Sequence, residues 1–138
     1  MNAIIKIVGT QVVDDEKDVI ELTTNGTLEQ SADGWHLCYH ETEATGMEGT
    51  VTTLDLSPGK LSLLRKGTHP SMLILEKNRR HHCNYQTPYG NIDLGTYASQ
   101  LEYNLSPSGG EVFFSYTLGF NGSVNSAHTI HITVQEEM

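Results

Sequence analysis

Residues 35–66 read WHLCYHETEATGMEGTVTTLDLSPGKLSLLRK, three apolar-alternating stretches separated by GMEG and SPGK. A period of two marks strands with one buried face, and proline followed by glycine is turn chemistry. Centring the second turn on Pro58 and Gly59 pairs Leu56 with Leu61, Leu54 with Leu63 and Thr52 with Arg65. A first turn at Gly46 and Met47 pairs Glu43 with Thr50, Glu41 with Thr52, Tyr39 with Leu54 and Leu37 with Leu56. The two turns agree on one leucine face, which matters because a one-residue slip would move every side chain to the other side. On that apolar face lies a row of Glu41, Thr52 and Arg65. At ~4.8 Å per strand step, Glu41 and Arg65 are about 10 Å apart at the backbone, so two long side chains can meet over Thr52.

The same periodicity extends outward over the whole chain, and no apolar pattern at helical spacing persists. Strands are expected at Ala3 to Val13, Val19 to Glu29, Gly34 to Ala44, Gly49 to Leu56, Lys60 to Lys66 and Met72 to Lys77. Four more are expected at Arg80 to Thr87, Asn91 to Leu105, Glu111 to Phe120 and about Ser126 to Gln135. Asn25-Gly26, Asp33-Gly34, Pro58-Gly59, Pro88 to Gly90, Gly109-Gly110 and Asn121-Gly122 punctuate them as turns. This predicts an all-β chain, a single domain over 1–138 folded as an antiparallel up-and-down barrel of about eight to ten strands.

Further registers follow from the turns. A turn at Pro88 and Tyr89 pairs Tyr85 with Ile92 and Cys83 with Leu94, and a turn at Asn78 and Arg79 pairs Met72 with Tyr85. Around Pro107 to Gly110, Leu105 faces Val112, Tyr103 faces Phe114 and Leu101 faces Tyr116. The last hairpin conflicts with itself, since an Asn121-Gly122 turn opposes Tyr116 with Ala127 while Ile130, Ile132 and Val134 have the other parity. A bulge near Ser126 is required, and another between Leu94 and Leu101, expected at Gly95. If every strand spans the barrel, the hairpins at Met47 and Asn78 share one end. Which end is the mouth is left open.

Seventeen acidic and eight basic residues give a net charge of −9, which argues against nucleic-acid partners and against an anionic membrane surface. The N-terminal stretch lacks the apolar core of a signal peptide, no stretch reaches transmembrane length, and two cysteines make no disulfide framework. A cytoplasmic protein, monomer or homodimer, with free Cys38 and Cys83 is expected.

The segments HETEATGMEGTVTTLDL and LLRKGTHPSMLILEKNRRHHCNYQTPYGNIDL resemble the YwiB-like family of small uncharacterised bacterial proteins. The resemblance spans nearly the whole chain. It is most specific at Glu41 with Gly46, Met47, Glu48, Gly49 and Thr50, at Arg65-Lys66-Gly67, and at Cys83, Tyr85, Thr87, Pro88, Tyr89 and Gly90. It implies a calycin-like barrel, the group of lipocalins and fatty-acid-binding proteins, and carries over no catalytic residues. Fatty-acid carriers have a helical lid between their first two strands, where this chain has only about Asp14 to Asp18.

Arg65, Glu41, Thr52, Tyr39 and Tyr85 are the candidate ligand-binding residues. In that reading Arg65 holds a carboxylate or phosphate in or at the mouth of the barrel, and the others add hydrogen bonds. The alternative is a structural or protein-interaction module in which Glu41 neutralises Arg65 inside a side-chain-filled barrel. His36, Cys38 and His40 alternate on the face opposite Trp35, Leu37 and Tyr39 and are expected to point outward, so no metal site is expected. No nucleophile, base and oxyanion donors come together, so the expected protein is not an enzyme and needs no cofactor.

Overall fold

The computed structural model describes residues 1–45, 47–67, 71–87, 90–120 and 123–137, without the side chains of 45, 83–87, 91, 92 and 123. Ten antiparallel strands follow one another: β1 (Asn2–Val13), β2 (Glu16–Gln30), β3 (Trp35–His40), β4 (Thr50–Ser57), β5 (Lys60–Gly67), β6 (Ser71–Glu76), β7 (Arg80–Thr87), β8 (Gly90–Ser106), β9 (Gly109–Phe120) and β10 (Ser123–Glu136). They form one sheet in the order β6-β5-β4-β3-β2-β1-β10-β9-β8-β7, with the first and last strands paired at its centre. The sheet curls into an up-and-down barrel, and its two edges, β6 and β7, meet at a seam.

Turn chemistry sets the hairpins. Asp14 and Asp15 both take positive φ (49° and 66°), the primed-turn geometry whose twist matches that of the strands, and they join β1 directly to β2. Gly59 at φ 71° closes the β4–β5 hairpin in the expected register, with Leu56 opposite Leu61, Leu54 opposite Leu63 and Thr52 opposite Arg65. Tyr85 opposite Ile92 and Cys83 opposite Leu94 also match expectation, while Pro88 and Tyr89 at that tip lie outside the described residues.

Other registers differ. Tyr39, not Glu41, faces Thr52, and Leu37 faces Leu54, because the chain leaves the ladder after His40 and makes a 3-10 turn at Glu43–Thr45. The slip is two residues, so the buried face is kept. Leu101 faces Phe114 and Tyr103 faces Val112, again two residues from expectation, because Gly109 and Gly110 (φ 125° and 145°) already belong to β9 and leave a shorter turn. The β8 irregularity falls between Ala98 and Gln100 rather than at Gly95. The bulge required near Ser126 lies between Val124 and Ser126, where Asn125 Oδ1 accepts the Phe120 amide at 2.8 Å; the Asn121-Gly122 turn lies outside the described residues.

The β6–β7 hairpin expected to pair Met72 with Tyr85 does not form. Asn78 turns at φ 60°, and its amide donates to Ala98 O of β8 at 2.8 Å, so β6 is tied to β8, whose other edge is taken by β9, instead of forming a ladder with β7. Thr96 reinforces the seam by donating to Ile74 O at 2.8 Å. The Lys77 amide donates to Gly59 O at 2.8 Å, which puts the Pro58-Gly59 turn and the Asn78 turn at one end. The hairpins at Met47 and Asn78 therefore lie at opposite ends, since β4, β5 and β6 are three passes and reverse the direction.

Leu28, Trp35, Leu56, Leu61, Leu75, Leu101, Val112 and Val134 fill the half of the barrel toward the Gly59 end. The opposite half is not filled.

Candidate functional site

A cavity of about 320 Å³ occupies that half. Leu54, Leu63, Leu73, Phe114 and Ile132 are buried along it, and Gln11, Ile20, Met47, Leu118 and His128 line it from the segments nearest the end loops. Gly9 faces inward between Ile20 and Ile130, and a Cβ there would come within 3.3 Å of Ile130 Cδ1, so the missing side chain is part of the open volume.

Four of the five candidate residues converge on this cavity or its wall. Tyr39, Thr52 and Arg65 sit side by side on β3, β4 and β5, and Glu41 reaches the same level from the first residue after β3, its amide donating to Thr50 O at 2.9 Å. The Thr52 hydroxyl donates to Glu41 Oε1 at 2.7 Å. Arg65 Nε lies 3.9 Å from that oxygen, and the Arg65 side chain is 24% exposed where that of Glu41 is 2% exposed. The guanidinium thus faces the cavity from its rim while the carboxylate is sunk in the wall. The fifth candidate, Tyr85, has its backbone in β7, but its side chain lies outside the described residues.

The pair is looser than a neutralised ion pair. Among the described residues, Arg65 Nε is buried and donates to no partner within hydrogen-bonding geometry, and Ser71 Oγ likewise has no partner. Ser71 is the residue directly opposite Arg65 on β6. Two unmet polar atoms, each normally costly, therefore lie on neighbouring strands, and of the two residues Arg65 lines the cavity.

Burial, with the Glu41 carboxylate adding to it, pushes the Tyr39 phenol well above the ordinary phenol range, while Arg65 and the Thr52 hydroxyl pull the other way. Burial likewise raises Tyr116, and Arg65 opposes it. Burial outweighs the opposing pull of Arg65 at both phenols, so both stay protonated and can donate near it. Sequence parity already put Tyr116 inward, but His128 was missed. It shares the inward parity of Ile130, Ile132 and Val134, a signal present in the sequence once the bulge before Ser126 is set. His128 stacks on Tyr116 at 4.8 Å, its Nε2 is 2.8 Å from Ser126 Oγ, and burial lowers its pKa.

The outer stripe is as expected. Trp35, Leu37 and Tyr39 are buried, while His36 points outward and pairs with Asp55 at 2.6 Å. His81 pairs with Glu76 at 3.1 Å and His82 with Asp93 at 3.5 Å. Cys38 is a free thiol, and the Cys83 side chain lies outside the described residues. No helix among the described residues is long and apolar enough to cross a membrane.

Fold and site define a small antiparallel barrel with a mostly apolar cavity and an incompletely satisfied arginine at its rim. The chain belongs to the family described as a domain of unknown function (DUF1934), which matches residues 5–132. It is similar in structure to the YwiB protein from Bacillus subtilis, with a TM-score of 0.84 at 18% identity over 99% of this chain and 92% of that one. At that identity the likeness speaks for the fold. No curated protein matches the chain.

Proposed function

We propose that this barrel binds, without catalysis, a small anionic amphipathic ligand whose acid group is held by Arg65. The carrying observation is the 320 Å³ cavity, within the range of small-molecule sites, with a guanidinium on its rim whose Nε has no hydrogen-bond partner. The cavity weighs against the alternative of a side-chain-filled barrel. Glu41 competes less for the arginine than a directly bonded carboxylate would, because Thr52 already donates to its nearer oxygen. Tyr39 and Tyr116 supply protonated hydroxyls beside the same guanidinium.

Native mass spectrometry of the protein purified from its own host tests this. A reproducible small adduct is expected, lost on unfolding, absent in Arg65→Ala and weakened in Arg65→Lys, whose ammonium cannot reproduce the planar fork. An adduct retained in the alanine variant would remove Arg65 from the binding site, and a clean apo mass would favour a protein partner instead.

A further inference from the structure

β10 lies between β1 and β9, and its registers set residues of these two neighbours at equal distances on either side of it. Lys6 and Glu111 flank Thr133, Val8 and Phe113 flank His131, and Thr10 and Ser115 flank Thr129. All of them face outward, because the residues that alternate with them, such as Ile5, Ile7, Val112, Phe114 and Ile132, are buried in the core. Over 6–12, 111–117 and 127–133 the outward side carries one lysine, Lys6, and one carboxylate, Glu111. The wall is therefore formally neutral on a molecule of net charge −9. Strand propensity accounts for its threonines and valines, but not for opposite charges placed symmetrically about one strand.

We infer that this wall is a homodimer face, occupied by a second copy of this chain related to the first by a two-fold axis along β10. Rotation about that axis lays β1 of each copy over β9 of the other, the self-complementary contact that a two-fold dimer requires. Lys6 of each copy then faces Glu111 of the other, and Val8 faces Phe113. Among the described residues no carboxylate forms an ion pair with Lys6, and the Glu111 side chain is 66% exposed, with His131 3.7 Å away. Shape follows the same axis. Ala127, Thr129 and Thr133 on it are small, and His131 is turned onto Phe113 with ring centroids 6.3 Å apart. The longer Lys6, Glu111 and Phe113 stand at the sides, where two convex barrel walls begin to diverge. Glu21 on β2 and Glu102 on β8, the next outward carboxylates, lie a further ~4.8 Å strand step from the axis, where the divergence keeps them apart. Uncharged residues at the centre with charges toward the rim is the usual anatomy of an interface. Four outward side chains on each of three strands are fewer than the roughly 20 to 30 residues a side of a standard interface, so a dissociation constant in the micromolar range is expected.

Sedimentation equilibrium of the full chain from about 1 to 200 μM reads this directly, and the mass is expected to rise toward twice that of the monomer. Lys6→Glu and Glu111→Lys should each weaken dimerisation about tenfold or more, because each sets two like-charged pairs across the axis, and the double variant should recover it to within about threefold. Glu111→Lys is the decisive single change. It takes the net charge from −9 to −7, so it would strengthen any association governed by overall repulsion. Lys66→Glu changes the charge as much as Lys6→Glu does, but on β5, five strands from β10 in the order of ten, and should leave dimerisation within about threefold. Thr129→Glu puts two carboxylates on the axis and should hold the protein monomeric throughout, with an unchanged urea midpoint showing the barrel intact; if that midpoint moves, the exposed Lys6 and Glu111 variants decide alone. A monomeric mass over the whole range would overturn the self-contact and leave the wall to a different partner. Tighter association of Glu111→Lys, or equal weakening by Lys6→Glu and Lys66→Glu, would reduce the association to net charge and overturn the interface. Weakening by Lys66→Glu alone would overturn it too, by moving the contact to the β5 wall.

Discussion

Thr52 is fully buried, and its one hydroxyl proton goes to Glu41, so this bond holds the carboxylate in the barrel wall. Thr52→Val keeps the shape and removes the donor. It should lower unfolding free energy by about 1.5 to 3 kcal/mol, the range for a hydrogen bond to a charged group, with the denaturant midpoint shifted at constant slope. His128 makes the other residue-scale prediction. Burial holds its imidazole below the ordinary value, so the unfolded chain takes up the ring proton at a higher pH than the folded one. The neutral ring's contribution is therefore complete above the unfolded value of about 6.5 and is lost as pH falls below it toward the depressed folded value. Urea midpoints at pH 7.5 and 5.5 should differ more in the natural protein than in His128→Gln; an equal difference would remove His128 from the balance. Parity made Glu41, Thr52 and Arg65 legible as inward polar residues on an apolar face. It could not reveal that Thr52 and Arg65 divide the Glu41 carboxylate unequally, because that depends on where the chain leaves β3.

The strands and their faces were legible because alternation fixes parity, and two-residue register errors conserve it. β3–β4 and β8–β9 each slipped by two residues, and in both the cause was local. A 3-10 turn at Glu43–Thr45 took Glu41 out of the ladder, and positive-φ glycines carried β9 closer to its turn than a four-residue loop allows. Gly26 reads in sequence as half of an Asn-Gly turn, yet it lies within β2 opposite Ala3 and Tyr39. A Cβ there would stand 2.1 Å from Cys38 O and 2.5 Å from Ile5 Cδ1, so its lack of a side chain lets β3 approach closely where the sheet curls. Since the nearest atom is backbone and cannot swing away, Gly26→Ala should cost about 3 kcal/mol, the upper end of the usual overpacking range. Gly9→Ala is the control: its closest contact is a methyl end at 3.3 Å, and it should cost much less in the same denaturant titration.

The meander from β1 to β10 could be read from successive turns, but how the barrel closes could not, because closure joins strands by contacts distant in sequence. Nor could the open cavity be read, since it depends on side-chain volumes summed around the whole barrel and on one inward glycine. Closure is also where the molecule is weakest. β1 pairs along nearly its whole length with both β2 and β10, whereas β6 pairs with β5 on one side and meets β8 through Thr96, Asn78 and a single bridge at Lys77 on the other. The turn from β6 to β7 adds the interactions of half-buried Glu76 with His81 and Arg79, whose hydrogen bonds, that of His81 first, hold the Glu76 carboxyl below the ordinary range. Segments with few backbone pairs open locally at lower free energy than the global transition. Native-state hydrogen exchange should therefore show the β6 and β7 amides exchanging through a local opening while those of β1, β2 and β10 require global unfolding. Thr96→Val removes the buried donor to Ile74 O, worth about 1 kcal/mol, and should speed exchange in β6 about fivefold while leaving β1 and β10 within the smaller change in global stability. Uniform protection across all ten strands would instead mean that side-chain packing across the seam alone makes the barrel one cooperative unit.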